Sequence, residues 1–166
     1  MTDNGTSKGL FCSSLMHVRP EWIDYNGHLN MAYYNVLFAQ CVVQALTEFG
    51  LGPDYLKQNN ASFFTMEAHV TYLREIHEGD GVNVTFRVLD FDEKRLHCFQ
   101  QLIHTQGQFL SATSESMLMH VDMSAKKSAP FPTQVRERIA AMHAIQKDLP
   151  RPPQQGHVIG LPRRQS

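Results

Sequence analysis

One long amphipathic segment dominates the hydrophobic pattern, and it predicts a helix over residues 31–49. Its apolar side chains recur every three or four positions, which is the helical period, at Ala32, Val36, Ala39, Val43 and Leu46. Asn30 is a suitable residue to cap the start of this helix, and Gly50 is a suitable residue to end it. Further apolar residues lie on the opposite side, so we expect burial on more than one side.

Alternation of apolar and polar residues predicts strands on both sides of that helix. The predicted strands cover residues 11–18, 63–72, 82–88, 95–104 and 109–121. Short turns separate the last four strands, and short turns imply that consecutive strands are antiparallel neighbours. A loop follows the helix around Gly52 and Pro53, and a second helix is predicted over residues 133–145.

The order of these elements predicts an α+β fold, in which an antiparallel sheet wraps around one long central helix. A chain of 166 residues suits one domain. We predict a flexible N-terminus over residues 1–10, a single domain over 11–146 and a loosely ordered tail over 147–166. One helix cannot cover every apolar face of such a sheet. We therefore expect two copies to join edge to edge, as a homodimer or within a homotetramer.

Composition and charge exclude several classes of function. The formal net charge of -1 argues against nucleic-acid binding, which usually needs a basic excess. The three cysteines form no C-x-x-C pair, which is typical of reduced thiols in the cytoplasm. The nine histidines are scattered and none forms H-x-x-x-H or H-E-x-x-H, so we expect no metal site. No apolar run approaches the roughly 20 residues that span a bilayer, and no signal peptide is visible, so we expect a cytoplasmic protein away from the membrane.

Residues 24–31 are the best candidate for chemistry, because Asp24 lies a few residues before the predicted helix. The first N–H groups of a helix have no partner within it and carry the positive end of its dipole. An acyl carbonyl oxygen placed there would be polarised, and one such donor contributes about 2.7 to 4 kcal/mol in acyl transfer. Gly27 has no side chain and allows a thioester to approach closely.

Asp24 has two conceivable roles in the cleavage of a thioester. It could attack the carbonyl carbon and form a mixed anhydride, or it could activate a water molecule as a general base. A thiol has a pKa of about 8.5, so the thiolate leaves readily without a strong general acid. The alternative interpretation is an ordinary D-x-x-G turn, in which the aspartate only accepts hydrogen bonds from nearby backbone.

The pattern Asp24-x-x-Gly27-His28-x-Asn30-x-x-x-Tyr34 resembles the hotdog thioesterases of the 4-hydroxybenzoyl-CoA type. The resemblance covers roughly residues 11–123. It implies a hotdog fold and a catalytic carboxylate at Asp24. It also implies that the backbone N–H near Met31 holds the thioester carbonyl, and that the site lies at a dimer interface. Many members have a different residue at His28, which we keep as a catalytic candidate without a role from this resemblance.

A narrower resemblance links the chain to the betainyl-CoA thioesterases associated with carnitine dehydrogenase. It is carried by residues 20–28, 67–75, 94–97 and 128–132. It implies hydrolysis of betainyl-CoA to glycine betaine and CoA in carnitine degradation, with the CoA thioester as substrate and no cofactor. It also implies a functional link to carnitine dehydrogenase.

Betaine carries a quaternary ammonium, which aromatic faces bind with about 0.5 to 2 kcal/mol per contact. The substrate-binding candidates are therefore mostly aromatic or acidic: Trp22, Tyr25, Asn30, Tyr33, Tyr34, Glu67 and His69. The alternative for Tyr33 and Tyr34 is core packing, and for Glu67 and His69 a solvated pair. Candidates for binding the CoA phosphates are the cations Arg74, Lys94 and Arg95, which could instead be ordinary charges at strand ends.

Three rival functions share the same fold. A thioesterase for an aromatic or a short- to medium-chain acyl-CoA would keep Asp24 and differ in its acyl pocket. A hotdog hydratase or dehydratase would need a histidine paired with a carboxylate, and His28 is four residues from Asp24. A non-catalytic domain that binds acyl-CoA would leave Asp24 without a purpose.

Overall fold

The computed structural model describes residues 9–161, which form three helices and seven strands. The helices are α1 (Met31–Glu48), α2 (Pro53–Asn59) and α3 (Thr133–Gln146), with a short 3-10 helix at Pro20–Trp22. The strands are β1 (Phe11–Cys12), β2 (Met16–His17), β3 (Ala61–Tyr72), β4 (Gly81–Phe91), β5 (Arg95–His104), β6 (Phe109–Asp122) and β7 (Lys127–Ser128). Both predicted helices and the four long predicted strands are confirmed. The predicted strand over residues 11–18 is two short strands.

The strands form one antiparallel sheet in the order β1-β4-β5-β6-β3, with β2 also paired to β4 and β7 to β6. The expectation that all consecutive strands are neighbours was wrong for β3 and β4. Strand β3 pairs with β6 instead, from Ala61 opposite Asp122 to Tyr72 opposite Ala112. Residues 73–80 form a connection long enough to carry the chain to the other side of the sheet, which alternation alone does not reveal. Strand β3 is thus a terminal strand.

Helix α1 begins and ends at the residues that the capping signals predicted. The side chain of Asn30 accepts a hydrogen bond of 3.0 Å from the N–H of Ala32. At the other end, Gly50 has a φ of 84°, which favours glycine, and the N–H of Leu51 returns to the carbonyl of Leu46. The helix therefore has a fixed N-terminus, which positions the residues before it.

The buried side of α1 differs from the predicted stripe. The side chains that pack against the sheet are Tyr34, Leu37, Phe38, Cys41, Ala45 and Leu46. Only Leu46 belongs to both sets, and Val43 is 50% exposed. The helix is apolar on two sides, and the larger side chains fill the concave face of the sheet. The predicted stripe faces α2 and β3, where it helps to line a cavity of about 310 Å³.

Helix α2 was not predicted, although Pro53 at its first turn is a typical start signal. The helix contacts β3, and its last residue is followed by Asn60, which has a left-handed φ of 48°. By itself, no helix within residues 9–161 has the length and apolar character to cross a membrane. Helices α1 and α2 pass that test only as a pair, with a bend of 64° between them.

The chain after α3 lies against the outer face of the sheet. The guanidinium of Arg87 donates hydrogen bonds to the carbonyl oxygens of Gln146, Leu149 and Pro150. Further along, the N–H of Gly156 donates to Glu115. Loose order was predicted for residues 147–166 and flexibility for residues 1–10. Residues 1–8 and 162–166 lie outside the described part of the chain, and the division of the chain into these segments stays a prediction.

Candidate active site

A cavity of about 550 Å³ opens beside the start of α1. One side is formed by Asp24, His28 and the first turn of the helix, and the other side by the four residues 72–75 at the end of β3. The two sides are tied together, because the N–H of Leu29 donates a hydrogen bond of 2.9 Å to the carbonyl of Ile76. The cavity is therefore built from the segment around Asp24 and from the end of β3, where the sequence had suggested only Arg74 as a site residue.

Asp24 stands in a tight turn that fixes its carboxylate. Its N–H donates to the carbonyl of His28 at 3.1 Å, and its own carbonyl accepts from the N–H of Gly27 at 3.0 Å. One carboxylate oxygen, Oδ1, accepts a hydrogen bond of 2.8 Å from the N–H of Asn26. Within residues 9–161 the second oxygen, Oδ2, has no hydrogen bond. The side chain is 18% exposed, so a reacting group can reach that oxygen.

Gly27 has a φ of 84°, and no atom lies within 4 Å of the position where a Cβ would stand. The turn itself therefore requires the glycine, because L side chains rarely adopt this φ. Nδ1 of His28 lies 4.0 Å from Oδ1 of Asp24, so the two side chains are adjacent.

The first turn of α1 leaves one backbone donor free at the cavity. The side chain of Asn30 accepts a hydrogen bond from the N–H of Ala32, and its backbone carbonyl accepts one from the N–H of Tyr33. The N–H of Met31 has no hydrogen-bond partner in the part of the chain that the structure describes. A free N–H at the positive end of a helix can donate to a carbonyl oxygen or to the oxyanion that forms from it.

Two tyrosines form the floor and one wall of the cavity. The rings of Tyr34 and Tyr72 meet edge to face with their centres 5.1 Å apart. The hydroxyl of Tyr72 donates to the carbonyl of Met31 at 3.3 Å. Burial raises the pKa of Tyr34 above its ordinary value, so its phenol remains protonated near neutral pH. Tyr25 lies at the rim and is 98% exposed.

Trp22 and Tyr33 lie outside the lining of this cavity. Their rings are stacked on each other with centres 5.5 Å apart. The guanidinium of Arg19 lies 5.1 Å from the centre of the Trp22 ring, which is a cation–π distance. Trp22 is only 7% exposed, and within this chain its ring packs against Arg19 and Tyr33 and does not border the cavity beside Asp24.

Glu67 and His69 belong to a different cavity, of about 270 Å³, on the outer face of the sheet. In that cavity Nε2 of His97 lies 2.8 Å from a carboxylate oxygen of Glu115. The ring of His69 stacks on that of His157, with centres 5.7 Å apart. Within one chain, neither Glu67 nor His69 is brought together with Asp24.

The three basic candidates are also divided between two places. Arg74 lines the cavity beside Asp24, with its guanidinium 3.8 Å from the centre of the Phe109 ring. Lys94 and Arg95 lie at the turn between β4 and β5, where Arg95 forms an ion pair of 2.5 Å with Asp92. Burial alone would raise the pKa of Asp92, but hydrogen bonds from Lys94 and Arg95 lower it to about 2.

Among the lining residues that were not candidates, Tyr72 and Glu75 have polar side chains. Both belong to the run Tyr72-Leu73-Arg74-Glu75, from which only Arg74 was chosen. The available signal was the end of a strand followed by a polar connection, where functional side chains often stand. Within residues 9–161, no group of three or more histidine, cysteine, aspartate or glutamate side chains is arranged to hold a metal ion.

Comparisons with known proteins identify the family and the fold. The model of the thioesterase-like superfamily matches residues 18–139. A betainyl-CoA thioesterase from Pseudomonas aeruginosa is 40% identical over 146 residues, which cover 87% of this chain and 91% of that protein. An L-carnitine dehydrogenase/betainyl-CoA thioesterase from Rhizobium meliloti is 32% identical, and the match covers 88% of this chain but 29% of that protein.

A solved structure of a Staphylococcus aureus protein in complex with CoA has the same fold. It superposes with a TM-score of 0.86 at 34% identity, over 96% of this chain and 100% of that chain. The predicted antiparallel sheet around a central helix is thereby confirmed as the architecture of a known group of proteins. The chain belongs to the thioesterase-like superfamily, and it has the hotdog fold.

Proposed function

We propose that the protein hydrolyses betainyl-CoA to glycine betaine and CoA, as a step of carnitine degradation, with Asp24 as the catalytic carboxylate. One observation carries the catalytic part of this proposal. The free oxygen of Asp24 and the free N–H of Met31 border the same cavity at the start of α1. The acyl group is supported by the 40% identity to the betainyl-CoA thioesterase of Pseudomonas aeruginosa.

In this mechanism the thioester carbonyl oxygen accepts a hydrogen bond from the N–H of Met31, which stabilises the oxyanion that forms. Asp24 either removes a proton from the attacking water or attacks the carbonyl carbon itself, which gives an anhydride that water then hydrolyses. In both routes the carbon–sulfur bond breaks and CoA leaves as the thiolate. Either route requires Asp24, and neither requires a metal or an organic cofactor.

The test is thiol release from four substrates: betainyl-CoA, acetyl-CoA, a medium-chain acyl-CoA and 4-hydroxybenzoyl-CoA. We expect kcat/KM to be highest for betainyl-CoA. A higher value for another acyl group would retain the thioesterase and refute the betainyl assignment. If none of the four releases thiol, hydrolysis itself is refuted.

A second candidate function is hydration of an enoyl-CoA, and one observation favours it. His28 and Asp24 lie 4.0 Å apart, and a hydratase needs such a pair to move a proton. Incubation with crotonyl-CoA distinguishes the two functions, because hydration removes the conjugated double bond without releasing thiol. We expect no loss of the conjugated absorbance.

We further propose that the protein works as a homodimer at least, joined through β3. This strand is at the end of the sheet, and no other strand of residues 9–161 pairs with its outer edge. It is twelve residues long, and it exposes Phe64 by 45% and Met66 by 58%. A long apolar strand at a free edge is the kind of surface that pairs with a second copy.

The remaining assignments concern the CoA moiety, the partner enzyme and the compartment. We propose that Arg74 contacts a CoA phosphate, because it alone of the three basic candidates borders the cavity beside Asp24. A functional link to carnitine dehydrogenase is supported by the bifunctional relative from Rhizobium meliloti. A cytoplasmic location is supported by Cys12, Cys41 and Cys98, all of which are free thiols.

A further inference from the structure

One wall of the cavity beside Asp24 consists of residues that the hydrolytic step does not require. This wall consists of the buried ring of Tyr34, the half-exposed ring of Tyr72 and the carboxylate of Glu75. Hydrolysis needs only Asp24, the N–H of Met31 and water. A second carboxylate in the same cavity would repel an anionic acyl group and would do nothing for a neutral one.

The wall is held firmly in place by hydrogen bonds to β6. The N–H groups of Leu73 and Arg74 both donate to the carbonyl of Ser111, at 2.8 and 3.0 Å. In return the hydroxyl of Ser111 donates to the carbonyl of Arg74 at 2.6 Å. The hydroxyl of Tyr72 is fixed on the carbonyl of Met31, at the start of α1. The position of the wall relative to Asp24 is therefore set before any substrate binds.

The wall carries the negative charge of Glu75. Glu75 has no ion pair within residues 9–161, and the guanidinium of its neighbour Arg74 lies on the ring of Phe109. The field of Glu75 reaches the cavity: after burial and the effect of Tyr72, it is a further cause that raises the pKa of Tyr34.

We propose that Tyr34, Tyr72 and Glu75 form the subsite that selects a quaternary ammonium on the acyl group. A quaternary ammonium cannot donate a hydrogen bond, so a protein recognises it through aromatic faces and negative charge. This wall supplies both in the cavity that holds Asp24. The inference rests on the proposed function and adds the residues that determine its specificity.

The subsite keeps Tyr34 from the candidates that the sequence suggested, but it does not include Trp22. Trp22 does not line the cavity beside Asp24, and its ring is already in contact with Tyr33 and the guanidinium of Arg19. A substrate cation would have to displace Arg19 to reach that ring. Tyr72, in contrast, is 43% exposed.

The test compares two substrates of the same shape. Betainyl-CoA carries a trimethylammonium group, and 3,3-dimethylbutanoyl-CoA carries a tert-butyl group at the same position. The quantity measured is the ratio of kcat/KM for the charged substrate to kcat/KM for the neutral one. The variants are Glu75→Gln, which removes the charge, Tyr72→Leu, which removes the ring, and Tyr72→Phe, which keeps the ring. Glu78→Gln is the matched control, since Glu78 is exposed and lies outside the cavity.

We expect Glu75→Gln and Tyr72→Leu each to lower this ratio by about fivefold or more, as expected for a lost contact to a cation. Tyr72→Phe and Glu78→Gln should leave the ratio within about twofold of the wild type, because aromatic face and cavity charge are kept. An unchanged ratio in both Glu75→Gln and Tyr72→Leu would overturn the subsite. Glu75 is exposed, so its variant decides the question even if Tyr72→Leu does not fold.

Measurements on the wild-type protein distinguish a failure of the proposed function from a failure of the subsite alone. If it does not prefer betainyl-CoA to 3,3-dimethylbutanoyl-CoA, the proposed function fails and the subsite with it. If it has that preference and the variants keep it, only the subsite fails.

Inhibition by tetramethylammonium chloride is an independent test of the subsite. It should inhibit the wild type competitively and inhibit Glu75→Gln more weakly, and equal inhibition of both would contradict the subsite.

Discussion

At the scale of single residues, the chemistry depends on two groups that the backbone leaves without partners. Asp24 has one carboxylate oxygen engaged by the N–H of Asn26, and the other has no partner among residues 9–161. The N–H of Met31 also has no partner in the described part of the chain, because Asn30 caps the next residue of the helix instead. Both features follow from local turn and capping preferences, so a single sequence is enough to indicate them. Tyr72 and Glu75 were missed because their proximity to Asp24 depends on where β3 lies in the sheet.

Replacing Asp24 with asparagine should remove catalysis and keep the fold. The amide has a similar shape but cannot act as a nucleophile or as a base, so we expect kcat to fall by about 1,000-fold or more. Thermal unfolding and binding of CoA should remain close to the wild type. The matched control is Asp54→Asn, at an exposed aspartate of α2 that pairs only with Lys57. A kcat near the wild-type value in Asp24→Asn would exclude Asp24 from the mechanism.

At the scale of elements, α1 shows what periodicity can and cannot determine. Its start, its end and its length are all marked by residues within or next to the helix. The buried side is not marked in this way, because both sides of the helix are apolar. Packing against the sheet decides which side is buried, and the buried side is the one that carries Leu37 and Phe38. The side with Val43 is left facing α2 and β3.

A pair of truncations in α1 tests this choice of side. Leu37 is 0% exposed, so Leu37→Ala leaves a cavity and should lower the free energy of unfolding by about 2 to 5 kcal/mol. Val43 is 50% exposed, and Val43→Ala should lower it by less than about 1 kcal/mol. Both losses in the free energy of unfolding are measured by urea unfolding, with the wild-type protein as the reference. The reverse order of the two losses would mean that the helix buries its other side.

At the scale of the whole molecule, the sheet order determines which surfaces remain for a second copy. Because β3 pairs with β6, its outer edge has no partner strand among the described residues, and the strand carries exposed apolar side chains. The segment after α3 runs along the outer face of the sheet from Arg87 to Glu115. The edge-to-edge dimer that the sequence predicted from the shortage of helices stays a prediction, and the edge of β3 is the surface that we propose for it.

A charge placed on the free edge should disrupt this assembly. In an edge-to-edge dimer Met66 would lie near the partner strand, so Met66→Lys brings unpaired charges to the interface. We expect sedimentation velocity to show a shift toward monomer, with wild-type secondary structure by circular dichroism. Ile159→Lys is the control, since Ile159 is 82% exposed and lies outside the strands. A Met66→Lys protein that sediments like the wild type would place the interface elsewhere.

The sequence by itself determined the features that neighbouring residues control. These are the helix with its Asn30 cap and Gly50 stop, the four long strands and the carboxylate of Asp24 before the helix. Its motifs also identified the family, which the comparisons confirm. Each of these signals lies within a few residues of the feature that it predicts.

Only the tertiary structure decided which distant segments meet. It paired β3 with β6, turned the Leu37 side of α1 toward the sheet, and brought Tyr72 and Glu75 to the cavity of Asp24. It also separated Lys94 and Arg95 from that cavity within the chain. The physical reason is the same in each case. Periodicity and capping report on contacts within one element, whereas strand order and side-chain proximity depend on which surfaces pack together.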